Sequence, residues 1–439
     1  MPSQTTGTAA NAADISDDKM YLRIAWRLMP VLLLAYVVAF LDRVNIGFAK
    51  LQMQQVLGLS EAAFGLGAGL MFVGYSLLEV PSNLMLERIG ARKTLLRIML
   101  LWGGTAMATA LVTGATQFYI ARFLLGAFEA GLFPGVILYL TLWFPEQRRG
   151  RANGIFMSGA LIGSVLIGPL SGMTMKFLDK VAGLGGWQWL YITQGLPAIL
   201  LGFVVYLWLD DSPAQAAWLT SGEKRRIAQQ LAEAPVRRVR VPAAEIIELL
   251  TDPRFLGLVV LEFLVIAGSY TMAFWAPSLI RSWGVTDMLQ IGMLLAVPNI
   301  LGVAGIFVLC RHSDLRQERR WHFVAACLAA ACGLWLATVA QGRLLPSLLA
   351  LCLATVGFAS ALPILITAVT EYIPPQRRTI GIPLLTGLGI LGGFAGPMVA
   401  GIVNTRSGDT LNGMRLVVLC FILAASLMPL VLPVKRRGP

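Results

Sequence analysis

The chain has 439 residues, of which 57% are hydrophobic and only 13% charged, about half the charge usual for a soluble protein. That surplus of apolar residues excludes an ordinary water-soluble fold and calls for lipid as the solvent. A formal net charge of +12 does not mark a nucleic-acid binder, because the basic residues lie in short segments between apolar runs and form no separate basic domain.

Residues 1–20 are polar and hold no apolar core followed by a small-residue cleavage site, so no signal peptide is expected. The first apolar run then acts as its own insertion signal. A run of about 20 apolar residues is long enough to cross a bilayer as a helix. Twelve such runs are predicted, at 25–48, 62–86, 94–112, 116–140, 152–175, 189–209, 255–280, 288–310, 322–340, 345–371, 380–404 and 413–433. A polar stretch at 210–254 separates the sixth from the seventh. The predicted organisation is therefore an N-terminal segment (1–24), a six-helix bundle (25–209), a linker (210–254), a second six-helix bundle (255–433) and a tail (434–439).

Charge fixes the predicted orientation, since Lys and Arg are retained on the cytoplasmic side. With the N-terminus inside, 26 of the 35 Lys and Arg residues fall in cytoplasmic segments and seven, Lys50 among them, in outer loops; Arg43 and Arg122 fall within helices. Both termini are thus expected in the cytoplasm, across a bacterial inner membrane. The halves echo each other. Glu87, Arg88, Gly90, Arg92 and Lys93 follow the second run, and Asp314 and Arg316 follow the eighth; Gly168-Pro169 in the fifth run matches Gly396-Pro397 in the eleventh. A duplicated half is a common plan for secondary transporters, with substrate held between the repeats at mid-membrane.

The five cysteines (Cys310, Cys327, Cys332, Cys352 and Cys420) lie in apolar runs without metal-site spacing and read as small core hydrophobes. His312 and His322 flank a predicted cytoplasmic loop and read as surface residues. Trp187, Trp189, Trp208 and Trp321 read as interfacial belts. No metal site, nucleophile–base pair or phosphate loop is present in the sequence, so neither an enzyme nor a cofactor is expected.

A charge inside the bilayer costs at least a few kcal/mol, about 2.5–3.5 on insertion scales, and needs a partner or a function. Asp42, Arg43, Glu79, Arg122, Glu129 and Glu262 fall in predicted spans, with Glu371 near a span end. Arg122 and Glu129 are seven apart, nearly two turns, and so share a face about 10 Å apart along the axis. Asp42 and Arg43 are adjacent and therefore about 100° apart around the helix. Arg can hold a carboxylate bidentately while staying charged; a carboxylate taken out of water can bind a proton near neutral pH. The alternative is that Asp42–Arg122 or Glu129–Arg43 form static ion pairs between helices. Glu262 and Glu371 lie nearer the cytoplasmic surface, where snorkelling explains them.

The second-run loop resembles the signature of the major facilitator superfamily, with Asn83 where Gly is usual. Leu41-Asp42-Arg43, Asn45, Gly47, Gly74-Tyr75, Glu79, Pro81 and Asn83 closely resemble the anion:cation symporter family within it. So do Arg122, Gly126, Glu129, Gly131, Pro134-Gly135 and Trp143-Phe144-Pro145, then Phe274-Trp275, Pro277, Ser313-Asp314 and Gly392-Gly393-Phe394. The resemblance spans about 20–433 and implies an all-α membrane protein: twelve transmembrane helices in two pseudo-symmetric six-helix bundles. It implies proton-driven import of a small organic acid (tartrate, a sugar acid or an aromatic acid) by a monomer, with protons as the coupling ion. Arg43, Arg122, Tyr75, Trp275 and Thr386 are then expected to bind substrate, and Asp42 and Glu129 to carry protons. Asn83, Glu87, Arg88, Gly90, Arg92, Lys93 and Asp314 are expected to form the conformational latch. The sequence departs from the family at Ser360–Pro363, which lacks a Trp, and at Thr386, which stands where Asn is usual. The rival reading is an exchanger or an exporter of drug-like compounds, which the Gly168-Pro169 element favours.

Overall fold

The computed structural model describes residues 5–232, 243–340, 343–374 and 377–432; side chains before Asp17 and those of Glu87, residues 243–245 and Thr379 lie outside the described set. Among the described residues the chain is helical throughout, with no strand. The first half comprises α1 (Thr5–Val44), α2 (Ile46–Val56), α3 (Glu61–Ile89), α4 (Ala91–Thr109), α5 (Ala115–Glu129), α6 (Leu132–Thr141), α7 (Glu146–Phe177) and α8 (Gly186–Trp208). Two linker helices follow, α9 (Ser221–Ala232) and α10 (Ala243–Thr251). The second half comprises α11 (Pro253–Ser282), α12 (Met288–Arg316), α13 (Arg320–Val339), α14 (Leu344–Tyr372), α15 (Arg378–Gly389), α16 (Gly392–Ser407) and α17 (Leu411–Val431).

Eleven stretches among the described residues are long and apolar enough to cross a membrane, α5–α6 counting as one and α15–α16 as another. The helix in third place, α4, has 19 residues, but its first two turns carry Arg92, Lys93 and Arg97. It is the twelfth span, with its apolar part shortened by the basic loop.

The first span is longer than the sequence predicts at both ends. The polar residues that seemed to end it have partners on other helices: Lys50 and Gln54 bond to Glu61, at 2.9 and 3.0 Å, and Gln52 accepts from the Trp187 backbone at 3.0 Å. Satisfied in this way, they continue the helix to Val56.

Packing reveals the internal two-fold. In the first half α1 packs on α7 and α8, α3 on α5, and α4 on α8. In the second half the corresponding pairs recur, α11 on α16 and α17, α12 on α14, and α13 on α17. The halves meet along α3–α16 and α7–α12, which exchange under the same two-fold. The linker is pinned beneath the first half: Trp218 stacks on Trp143 with centroids 5.9 Å apart, and Arg226 pairs with Asp17 at 2.5 Å.

The two halves are sealed at the end opposite the basic loops. There the carbonyls of Gly168 and Gly292 each occupy the place where the other's Cβ would stand, so only glycine lets these backbones meet. Arg281 donates to the Leu51 carbonyl at 2.9 Å, Lys176 pairs with Asp287 at 2.6 Å, and the Ala62 amide donates to Thr405 Oγ1 at 2.8 Å. Followed toward the basic end, the α3 face that meets α16 comes into the open: Val80, five turns past Ala62 on that face, is 66% exposed. The halves therefore diverge toward the basic loops. Of the cysteines, Cys327 and Cys352 are buried, Cys310 and Cys420 half-buried, and Cys332 exposed.

Candidate functional site

The site is built where spans tighten or break. The first span tightens for one residue at Asn45, two residues past Arg43, with its backbone still helical at φ −58° and ψ −25°. The fourth breaks at Ala130–Gly131, where Gly131 has φ +91°, a conformation L side chains avoid. Its missing Cβ also leaves room for Ser82. This break brings Glu129, the last residue of α5, to the end of α1.

Arg43 and Glu129 form an ion pair there, with Glu129 buried and the Arg43 side chain 13% exposed. The Tyr270 hydroxyl, from α11 of the second half, lies 3.3 Å from Arg43 Nη1. The Tyr75 ring lies under the guanidinium, 5.3 Å from Cζ. Arg43 therefore touches both halves at mid-span. Behind it, away from the divide, Asp42 and Arg122 are fully buried. Asn45 Nδ2 donates to Asp42 Oδ1 at 3.3 Å. Arg122 reaches only the Ala68 carbonyl, at 3.5 Å, and the Met71 sulfur, at 3.3 Å. Among the described residues, Arg122 Nε and Nη1, Glu129 Oε2 and the Tyr191 hydroxyl have no hydrogen-bond partner, and the Trp102 indole lies beside the Asp42 carboxylate without a well-aligned bond to it. Buried polar atoms are nearly always paired, so this concentration of unpaired ones marks a polar interior available to protons or ligand. Of the two static pairs that the sequence allows, Glu129–Arg43 is formed and Asp42–Arg122 is not.

Trp275 and Thr386 lie apart from this cluster. Trp275 is 1% exposed, and its indole donates to Glu61 Oε2 at 2.9 Å. Thr386 lies on α15, its hydroxyl bonded back to the Ile382 carbonyl at 3.1 Å. Among the expected latch residues, Gly90 has φ +87° and makes the turn between α3 and α4. The Arg92 amide donates to Asp211 at 2.8 Å, and its guanidinium to the Tyr206 carbonyl at 2.6 Å. Asp314 pairs with Arg319 at 2.6 Å. Arg92 and Asp314 are thus each bonded within their own half; Arg88 and Lys93 are exposed, and Asn83 is half-buried. The Glu87 side chain lies outside the described residues.

A second polar centre went unread in the sequence. Lys50 is buried at the sealed end, with its ammonium 4.4 Å from the Trp275 ring centre. Its partner Glu61 accepts four donors: Lys50 and Gln54 from its own half, Trp275 and Asn404 from the other, the last at 3.2 Å. Lys50 lies seven residues after Arg43, so the helical stripe that carries Arg43 leads to it. Trp275 and Asn404, more than 200 residues from Glu61, leave no local signal. Glu262 also differs from expectation: it does not snorkel to the surface but is buried, and its Oε2 has no hydrogen-bond partner among the described residues.

A family model described as the Major Facilitator Superfamily matches residues 32–397. A protein of Agrobacterium vitis named "Putative tartrate transporter" is 41% identical over 409 residues, covering 93% of this chain and 94% of that one. A protein of Acinetobacter baumannii named "Quinolone resistance transporter" is 36% identical over 393 residues, covering 89% and 90%. Among solved structures, a bacterial homologue of the human lysosomal transporter Spinster superposes with a TM-score of 0.75 at 18% identity, covering 92% and 96%.

Proposed function

The chain belongs to the Major Facilitator Superfamily and is a multi-pass membrane transporter rather than an enzyme; from that premise we propose that it is a proton-coupled symporter importing a small organic carboxylate. The observation that carries this reading is the Arg43–Glu129 pair at the divide between the halves. A guanidinium fork binds one carboxylate bidentately. Glu129 and a substrate carboxylate therefore compete for Arg43. A proton on Glu129 weakens its hold and frees the fork for the anion. Proton and anion then enter together, and the cavity stays close to neutral as the halves rock. Asp42 and Arg122 behind the pair are a second acid and base through which the proton can be shared, and Tyr270 lets the opposite half sense whether Arg43 is engaged.

With the basic loops in the cytoplasm, the sealed end faces outward and the divergence faces inward. Glu61, gripped by both halves, is then the outer closure, and Arg92 and Asp314 belong to an inner latch that is undone in this state. The relative named for tartrate supports a carboxylate as the substrate class.

Thermal shift of the detergent-purified protein against tartrate, sugar acids, phthalate, hydroxyphenylacetate and neutral sugars, at two pH values, tests the reading. Stabilisation by an acid, greater at the lower pH and lost in Arg43→Ala, is expected. Losing a bidentate charged contact of about 1.5–3 kcal/mol weakens binding roughly 10- to 150-fold. Stabilisation only by neutral or cationic compounds would overturn it. That outcome would favour the exporter reading, which the quinolone-named relative supports.

A further inference from the structure

The groups at the Arg43 centre all belong to the first half except Tyr270. The second half holds one intramembrane carboxylate of its own on α11, and nothing above uses it. Glu262 lies nine residues past Pro253, the start of α11, about 14 Å along the helix from its basic end. It is 3% exposed, and its Oε2 has no hydrogen-bond partner.

Among the described residues, the charged groups on the elements packed against α11 are engaged or placed elsewhere, and the free thiols there, Cys310, Cys352 and Cys420, form no hydrogen bond to Glu262. Lys50 is held by Glu61, Glu248 by Arg377, Asp314 and Glu371 by Arg319, Tyr372 by Asp252, and Arg378 by the Ile373 carbonyl. Arg406 and Arg415 lie toward the opposite end of the molecule, and Arg311, His312 and Arg316 at the basic end of α12. None of these groups bonds to Glu262. A carboxylate buried without a counter-charge is among the costliest groups in a protein, and taking up a proton removes that cost.

The surroundings are shaped for this side chain. A Cβ on Gly389 would stand 2.7 Å from Glu262 Cγ and Cδ, so the glycine leaves the hollow in which the carboxyl rests. Gly389 is the last residue of α15, where the eleventh span breaks before resuming at Gly392. Across the break the backbone shortens its pairing. The Leu391 amide bonds to Leu388 O at 3.3 Å, and the Gly393 amide to Ile390 O at 2.9 Å. The Gly393 amide is thereby turned away from Gly389 O, its partner in a regular helix. A protonated carboxyl can donate to a carbonyl released in this way, whereas an ionised one is repelled by it.

We propose that Glu262 is a proton-binding site of the second half, separate from Asp42 and Glu129, and that the break between α15 and α16 responds to its protonation. Its part in transport rests on the proton-coupled reading above; the site itself can be tested without transport. The eleventh span faces α3 across the seal, so a change at the break is transmitted to the inter-half seam. Each half then carries its own proton acceptor at a helix break.

The test is infrared difference spectroscopy of the full-length protein in lipid nanodiscs, titrated from mildly acidic to mildly alkaline pH. The wild type is expected to show a protonated-carboxyl band that disappears as pH rises. One component of that band should be missing in Glu262→Gln and retained in Asp42→Asn and Glu129→Gln. Amide exchange over residues 387–393 should change with the same midpoint in the wild type and lose that transition in Glu262→Gln. A titrating band that is identical in wild type and Glu262→Gln would overturn the proposal. Should Glu262→Gln fail to fold, Gly389→Ala presses a methyl against the carboxyl and is expected to shift the midpoint; an unmoved midpoint would overturn the proposal as well. If the Glu262 band titrates in a protein whose uptake ignores a proton gradient, the transport reading fails and the site stands.

Discussion

Glu61→Gln replaces the hub of the sealed end with an uncharged side chain of the same shape. Of the four donors to Glu61, Lys50 and Gln54 move with it when the halves part, so their bonds largely cancel between the open and sealed states. Only Trp275, at 2.9 Å, and Asn404, at 3.2 Å, reach across. A hydrogen bond to a charged group contributes about 1.5–3 kcal/mol, and removing the charge forfeits about half of that. The Asn404 bond is long, and the Glu61 side chain is 14% exposed, so the lower end of the range applies. The sealed state should lose about 1.5 kcal/mol, a shift of roughly 12-fold toward opening at this end. Spin labels on exposed Leu111 and Arg415, one on each half at the sealed end, report this in a background lacking the five native cysteines. Glu61→Gln should move population to longer inter-label distances, and Trp275→Phe, which keeps the ring but loses the donor, should produce part of the same shift. The double variant should add little to Glu61→Gln alone. A distance distribution unchanged in Glu61→Gln would refute the assignment of Glu61 as the closure.

Gly131→Ala should lower the melting temperature, because φ +91° costs an L residue about 1–2 kcal/mol and the new methyl meets Ser82. Gly154→Ala, on α7 with open space around it, should be neutral or stabilising by about 0.5–1 kcal/mol; equal losses in the two would remove the argument for a required break. At the sealed end, the hydrogen bond from Lys176, followed by that from the Gln290 amide, holds the Asp287 carboxyl below the usual carboxylate range. Once the halves part and Lys176 is lost, the carboxyl rises toward the ordinary value, the Gln290 bond staying with it on α12. The pair therefore favours the sealed state fully above the ordinary carboxylate pKa, and this preference fades as pH falls through the depressed value. The spin-label distances should show an acid-induced opening that is absent in Asp287→Asn.

The twelve spans and their two-fold plan are legible because lipid demands long apolar runs, and those runs are local in sequence. What escaped was whatever depends on partners far along the chain. The first span looked finished at residue 48 because Lys50, Gln52 and Gln54 are polar; Glu61 and the Trp187 backbone satisfy them and carry the helix to Val56. The fourth and eleventh spans read as continuous, although Gly131 and the Gly392-Gly393 pair mark where they break. Asp42, Arg43, Arg122 and Glu129 stand out as charges in apolar runs, but helix spacing alone left both possible pairings open. Only the way α3 and α4 hold α5, which lets Glu129 reach the Arg43 guanidinium, chooses Arg43–Glu129. Lys50 follows an apolar run and so falls with the outer loops by sequence, and nothing within the run signals that Trp275 and Asn404 enclose its partner.

The most direct measurement is uptake of labelled tartrate, or of whichever acid in the panel binds best, into proteoliposomes with an imposed pH gradient. A gradient acidic on the side of entry should drive accumulation above equilibrium in the wild type, and a protonophore should abolish it. Glu129→Gln should retain exchange at equal concentrations while losing gradient-driven accumulation, since the proton acceptor is gone and the Arg43 fork remains. Accumulation driven by the opposite gradient, or undiminished in Glu129→Gln, would contradict proton-coupled import through the Arg43–Glu129 centre.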